Sequence, residues 1–137
     1  MLKEKKLPKA RVRAYVMRED TWKELPAWPA PVQTVQTFFL SEQGRLTSQP
    51  EVGVCRFGYD PEDPCPTHGA ESVLTTIAEA GSLLQPQPGY RPDVVSFVSE
   101  PLARPLPVCG QVRVRLRVST DGGDTAFTAK LMEVFPD

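Results

Sequence analysis

Apolar and polar residues alternate along several short runs of this chain. The clearest run is residues 112–118, where Val, Val, Leu and Val alternate with three Arg residues. Successive side chains of a β-strand point to opposite faces, so this period of two predicts a half-buried strand with its Arg residues in solvent. Less regular β-rich runs occupy residues 11–17, 34–40, 53–59, 93–98 and 125–135. Six such runs predict an all-β fold built as a sandwich.

One segment departs from this alternation. Within residues 70–84, four apolar residues recur at helical spacing: Val73, Leu74, Ile77 and Leu84. Gly81 is suited to end a helix, so we expect at most one short helix, near residues 70–80. Fifteen prolines and nine glycines leave little room for longer helices, because Pro removes a donor and clashes inside a helix.

Composition excludes several classes of function. The chain has 137 residues, 40% of them hydrophobic, which fits one domain with a core. Sixteen basic and 17 acidic residues leave no basic footprint for nucleic acid, and no apolar run approaches the roughly 20 residues of a membrane span. Cys55, Cys65 and Cys109 form no C-x-x-C pair, so we expect reduced thiols, a cytoplasmic protein and no cofactor. Residues 1–8 read as a tail without a secretory signal.

Several motifs stand in an order that resembles one family. Trp22 and Trp28-Pro29 follow the first run, and YDPEDPCPTHG fills residues 59–69, beginning with Tyr59, Asp60 and Pro61. RPDVV at 91–95, SEPL at 99–102 and DTAFTAKL at 124–131 come later. This order is similar to the C-terminal domain of CocE/NonD-type serine hydrolases, which are related to Xaa-Pro dipeptidyl peptidases.

The resemblance implies a fold and a partner. Family members fold this region as a jelly-roll β-sandwich, similar to galactose-binding domains, that packs against an α/β-hydrolase domain. Residues 9–137 are then expected to be the front part of that domain, apparently truncated, because relatives continue with further strands. Unpaired strand edges would favour a homo-oligomer.

No catalytic residue is expected in this chain. Relatives hydrolyse esters or amides with a Ser-His-Asp triad, whose serine lies in a G-x-S-x-G turn. The sequence has no such motif, and its one histidine, His68, lies in the Pro-rich loop. The resemblance places the triad in a separate upstream domain. It assigns part of the substrate pocket wall to the loop after Gly69, including Val73 and Leu74, although packing in the sandwich core is the alternative for both.

Other features have competing interpretations. Trp22, Trp28 and the Tyr59-Asp60-Pro61 turn are expected at the domain interface or in packing, whereas a free-standing carbohydrate-binding module would use the Trp rings as a sugar platform. Three carboxylates, on Asp60, Glu62 and Asp63, suit either a turn or a calcium loop, and we expect a turn and no metal. The Arg residues of 112–118 suit a solvated strand face or a phosphate site, and we expect the solvated face.

Overall fold

Two compact units make up the chain in the computed structural model, which describes residues 12–31, 34–69 and 80–135. Unit 1 comprises residues 1–36 and 104–137, and unit 2 comprises residues 37–103. All the regular structure in the described ranges is β-strand, which confirms the all-β prediction. The helix expected near residues 70–80 falls almost wholly outside the described residues, and residues 80–84 are not helical. Within those ranges there is no helix long and apolar enough to cross a bilayer.

Unit 1 contains a β-hairpin. Strand β1 (Val12–Val16) pairs antiparallel with β2 (Thr21–Leu25), in a register that sets Val12 opposite Leu25 and Val16 opposite Thr21. The first strand coincides with the alternating run predicted at residues 11–17. In the connecting turn the Tyr15 hydroxyl donates a hydrogen bond to the Asp20 carboxylate at 3.0 Å, which fixes the turn against the strand that precedes it.

A cross-strand aromatic pair marks one face of this hairpin. The rings of Tyr15 and Trp22 are directly opposite, with centroids 5.4 Å apart and planes tilted by 60°. The Arg13 guanidinium lies 5.4 Å from the centroid of the Trp22 ring. Tilted aromatic pairs contribute about 0.5–1.5 kcal/mol beyond the area they bury, so side-chain contacts hold the hairpin although Trp22 is 59% exposed.

Unit 2 contains a small three-stranded sheet organised by a polar turn. Strands β3 (Phe39–Leu40) and β4 (Arg45–Thr47) are antiparallel, and β5 (Val98–Ser99) adds parallel to β4. Ser41 is 1% exposed, and the Arg45 amide donates to its Oγ at 3.1 Å. The Ser41 amide in turn donates to the Arg45 carbonyl at 2.9 Å, and the Val98 amide donates to the Gly44 carbonyl at 2.9 Å. These bonds join the turn to both neighbouring strands.

No hydrophobic side chain of the described residues is buried. In the run 112–118 the exposed fractions are 57% for Val112, 54% for Val114, 45% for Leu116 and 53% for Val118. That run joins neither sheet, so the strand predicted there is absent from the structure. Alternation is a local property, whereas a strand also needs a hydrogen-bonded neighbour and a covering layer. The described residues supply neither to this run.

The same reason accounts for the other differences from prediction. Residues 53–59 and 125–135 carry no strand, and the run 34–40 contributes only Phe39–Leu40. The run 93–98 forms a strand only from Val98, where its amide reaches the Gly44 carbonyl.

The turn between β3 and β4 yields a test of this account. Gly44 has φ +73°, and a Cβ added there would lie 3.1 Å from the Ser96 carbonyl oxygen. We expect Gly44→Ala to weaken the sheet of unit 2 by about 1–2 kcal/mol, because the left-handed backbone penalises Cβ. Faster amide hydrogen exchange at Arg45 and Val98 would report the loss. Gly58→Ala is the control, since a Cβ at Gly58 meets nothing within 4 Å; equal effects of the two variants would contradict the prediction.

Candidate functional site

Two arms of unit 2 lie against each other and form what we call the stem, residues 60–69 and 81–93. Four contacts join the arms in antiparallel order: Asp63 with Arg91, Cys65 with Tyr90, His68 with Gln85, and Gly69 with Gly81. The first arm is the Pro-rich block on which the family resemblance depends. The second arm begins two residues after the segment 70–79, which the structure does not describe.

Arg91 forms the base of the stem. Its Nε donates to Asp93 Oδ1 at 2.7 Å and its Nη2 donates to Asp93 Oδ2 at 2.8 Å, which is a bidentate pair. The same Nη2 donates to the Asp63 carbonyl at 2.8 Å, and longer bonds reach the Asp63 carboxylate. The planar guanidinium can engage both partners at once, which an ammonium group cannot do with the same geometry. One side chain therefore connects the two arms.

These contacts change the titration of the groups involved. The hydrogen bond from Arg91 lowers the pKa of Asp93 below its ordinary value of 3.8, and the Asp93 side chain is 8% exposed. Bonds to Asp93 and then to Asp63 raise the pKa of Arg91. Pairing with Arg91 therefore favours the ionised form of the Asp93 carboxyl group.

The middle of the stem is held by weaker contacts. Cys65 Sγ lies 3.1 Å from the Tyr90 hydroxyl, and this hydrogen bond raises the pKa of Tyr90. Gln85 Nε2 donates to the His68 carbonyl at 3.1 Å. His68 thus contributes its backbone to the stem, and no described contact of its imidazole resembles the base of a triad.

At its far end the stem requires a glycine. Gly69 has φ +66°, and a Cβ at that position would collide with the backbone carbonyl of Gly81. A side chain there would force the arms apart, because a carbonyl group cannot turn aside as a flexible side chain can. The family block therefore ends on a glycine where the two arms come closest.

The Asp60 turn agrees with the turn predicted from the sequence. The Glu62 amide donates to the Asp60 carboxylate at 2.9 Å, and the Asp63 amide donates to the Asp60 carbonyl at 3.2 Å, with Pro61 between them. The calcium alternative gains no support, because Asp60 and Asp63 have partners within the protein. Among the described residues no three metal-ligating side chains are grouped to hold an ion.

A cavity of about 250 Å³ lies beside the base of the stem. It is lined by Gly58, Tyr59, Asp60, Asp63, Arg91, Pro92 and Asp93. The lining carries the Tyr59 hydroxyl, the carboxylates of Asp60, Asp63 and Asp93, and the Arg91 guanidinium. Arg91 is paired with Asp63 and Asp93, and the Asp60 carboxylate accepts from the Glu62 amide.

The predicted site residues fall in different parts of the chain. Trp22 lies on β2 and Trp28 in the turn that follows, both in unit 1, and Trp28 is 61% exposed. Tyr59, Asp60 and Pro61 are in unit 2 at the start of the stem. The two proposed pocket residues, Val73 and Leu74, lie outside the described residues.

Sequence reasoning missed the roles of Arg91, Asp93 and Ser41. Arg-Pro-Asp belongs to one of the family motifs. Its spacing also indicates that the two charged residues pair, because a Pro between two opposite charges favours a turn that brings them together. The sequence separation of Asp63 from Arg91 carries no such signal. Ser41 looks like an ordinary loop serine.

Comparison with known proteins gives consistent matches. A family model described as "X-Pro dipeptidyl-peptidase C-terminal non-catalytic domain" matches residues 5–137. Cocaine esterase of Rhodococcus sp. (strain MB1 Bresler) is 34% identical over 138 residues, covering 93% of this chain and 24% of that protein. Putative serine esterase Mb1866c of Mycobacterium bovis is 27% identical over 129 residues, covering 91% of this chain and 20% of that protein. The chain thus spans about a quarter or less of these relatives, and no solved structure matches significantly.

The charged base of the stem predicts a pH dependence. Asp93 has a lower pKa in the folded chain than in the unfolded chain, so its pairing stabilises the fold above pH 3.8 and is lost as the pH falls through the lower, folded value. A carboxyl ¹³C titration should place the Asp93 midpoint below 3.8. In Arg91→Gln the midpoint should rise toward the ordinary value, and an unchanged midpoint in that variant would contradict the assignment.

Proposed function

We propose that this chain, which belongs to the family of X-Pro dipeptidyl-peptidase C-terminal non-catalytic domains, is the accessory domain of an α/β serine hydrolase whose catalytic triad lies in another domain. The single observation that carries this proposal is the family match over residues 5–137. The sequence also contains no G-x-S-x-G turn that would present a nucleophilic serine. A cocaine esterase and a putative serine esterase stand among the relatives.

The substrate proposed for the whole protein is an ester or an Xaa-Pro amide. The names of the relatives favour ester hydrolysis, and the family description favours Xaa-Pro amides. A pocket in the catalytic domain would make that choice, because specificity depends on groups that contact the substrate in the transition state.

We further propose that the segment after Gly69 forms part of the pocket wall, with Val73 and Leu74 as apolar contacts. The stem supports this idea, because its contacts bring Gly69 and Gly81, the described residues that flank that segment, close together. An apolar wall suits an acyl or aromatic group.

The proposed fold in the whole protein is a jelly-roll sandwich over residues 9–137, with the hydrolase domain against it. Trp22 and Trp28 are proposed as interface residues, because large aromatic side chains with more than half of their surface exposed are typical of surfaces that a partner covers. A sugar platform is less well supported, because Arg13 already lies over the Trp22 ring.

The catalytic part of the proposal has a direct test. The purified chain should not hydrolyse p-nitrophenyl esters or Ala-Pro anilides, whereas the longer protein that contains it should hydrolyse one of them and lose that activity to a serine-directed inhibitor. Turnover by the chain alone, surviving repurification and blocked by the same inhibitor, would refute an accessory role. So would a longer protein without any hydrolase activity.

A second test concerns self-association, which we propose for the chain alone because the apolar side chains of its described residues are not buried. Size-exclusion chromatography with light scattering should give an average mass above 15.2 kDa that rises with protein concentration. A constant mass of 15.2 kDa at every concentration would contradict this proposal and leave the accessory role unaffected.

A further inference from the structure

Arg91 fastens the two arms of the stem to each other. Asp93, on the same arm, orients the guanidinium through bonds of 2.7 Å and 2.8 Å. The guanidinium then reaches across to the Asp63 carbonyl of the other arm at 2.8 Å. The Asp93 side chain is 8% exposed and that of Arg91 is 20% exposed, so the pair is sheltered from water. Bidentate, charge-assisted bonds of this kind are roughly twice as strong as neutral ones and fix the geometry of both partners.

Prolines stiffen both arms of the stem. Pro64 and Pro66 lie in the first arm, and Pro86 and Pro88 lie in the second. Each ring holds φ at about −65°, so the chain around it has few ways to bend. A change of spacing at the base of the stem is therefore carried along the arms and is not absorbed by local bending.

The far end of the stem leaves little room for such a change. A Cβ at Gly69 would collide with the Gly81 carbonyl and would lie 3.0 Å from Leu83 Cγ. The bond from Gln85 to the His68 carbonyl holds the arms together one residue before Gly69. The place of Gly69 thus depends on how the second arm lies against the first, and the proposed pocket wall begins directly after it.

We propose that Arg91 is a positioning residue for substrate selection in the longer hydrolase: by fixing the spacing of the arms, it fixes the place of Gly69, where the proposed pocket wall starts. The proposal rests on the accessory function proposed above. Arg91 acts through the stem and does not itself touch the substrate. Loss of its bonds therefore alters substrate binding and leaves the chemical step, which belongs to the triad of another domain, unchanged.

A purely structural role for Arg91 predicts a different result. Bonds that only stabilised unit 2 would, when lost, lower the amount of folded enzyme and reduce the rate with every substrate by the same factor. A positioning role predicts a loss that grows with the size of the acyl group. A small acetyl group does not reach an apolar wall that a longer acyl chain contacts.

The test uses the longer protein that contains this chain, with p-nitrophenyl acetate and p-nitrophenyl hexanoate as substrates. In Arg91→Lys the ammonium group cannot hold both partners with the same geometry. We expect KM for the hexanoate to rise about tenfold with kcat within about twofold, and both constants for the acetate to stay within about twofold. If the protein prefers amides, Gly-Pro and Phe-Pro anilides replace the two esters.

Matched variants separate the spacing of the arms from charge and from backbone strain. Asp63→Asn removes an exposed carboxylate but keeps the carbonyl that accepts the 2.8 Å bond, so both substrates should be unaffected. Gly69→Ala should reproduce the Arg91→Lys effect from the far end, because its Cβ meets the opposite arm. Gly89→Ala also has a left-handed φ, +80°, but its Cβ meets nothing within 4 Å, so it should not distinguish the two substrates.

Two results would overturn the proposal. One is an equal loss for both substrates in Arg91→Lys, which is the result of a structural role. The other is a wild-type KM for the hexanoate in both Arg91→Lys and Gly69→Ala. Unchanged amide exchange at Arg45 and Val98 serves as the check that the sheet of unit 2 is intact in each variant. A wild-type protein without activity is a separate outcome, since it removes the accessory role before any variant is compared.

Discussion

A face of β-structure lined with Val and Leu lowers its free energy only when a second layer covers it. The described residues of this chain provide no such layer, since none of their hydrophobic side chains is buried. This constraint explains why residues 112–118 and 125–135 form no strands despite their composition. It also gives the chain a physical reason to associate with a neighbouring domain or protein. For a non-catalytic C-terminal domain of this family, that neighbour would be a hydrolase domain.

The described residues have no buried hydrophobic core, so polar and aromatic contacts hold their strands and turns in place. Ser41 and Arg45 close the turn of unit 2, Arg91 ties the two arms of the stem, and Tyr15 with Trp22 holds the hairpin of unit 1. Such contacts are directional, so they fix local geometry without requiring extensive burial. The stem is the most developed example, because it gathers the Pro-rich family block and the Arg-Pro-Asp motif into one structure.

Local features could be predicted from the sequence, and features that depend on distant residues could not. The alternation of residues 11–17 anticipates β1, and the Asp60-Pro61 sequence anticipates its turn, since each needs only near neighbours. The pairing of Asp63 with Arg91 could not be predicted, because it depends on how the chain folds back to bring these two distant residues together. The strand predicted at 112–118 fails for the same reason, because its partner is not encoded in its own alternation. The order of the motifs indicates the family, whether or not each motif forms the strand or turn predicted for it.

The central proposal is that the apolar residues of the run 112–118 are exposed in the 137-residue chain alone and covered in the longer hydrolase proposed to contain it. Hydrogen–deuterium exchange of the backbone amides of residues 111–120 tests this claim most directly, with the dilute chain compared against the longer protein. The account predicts exchange close to the rate of an unstructured peptide in the chain alone and strong protection in the longer protein. Equal protection in both would contradict it, because the chain would then cover these residues by itself.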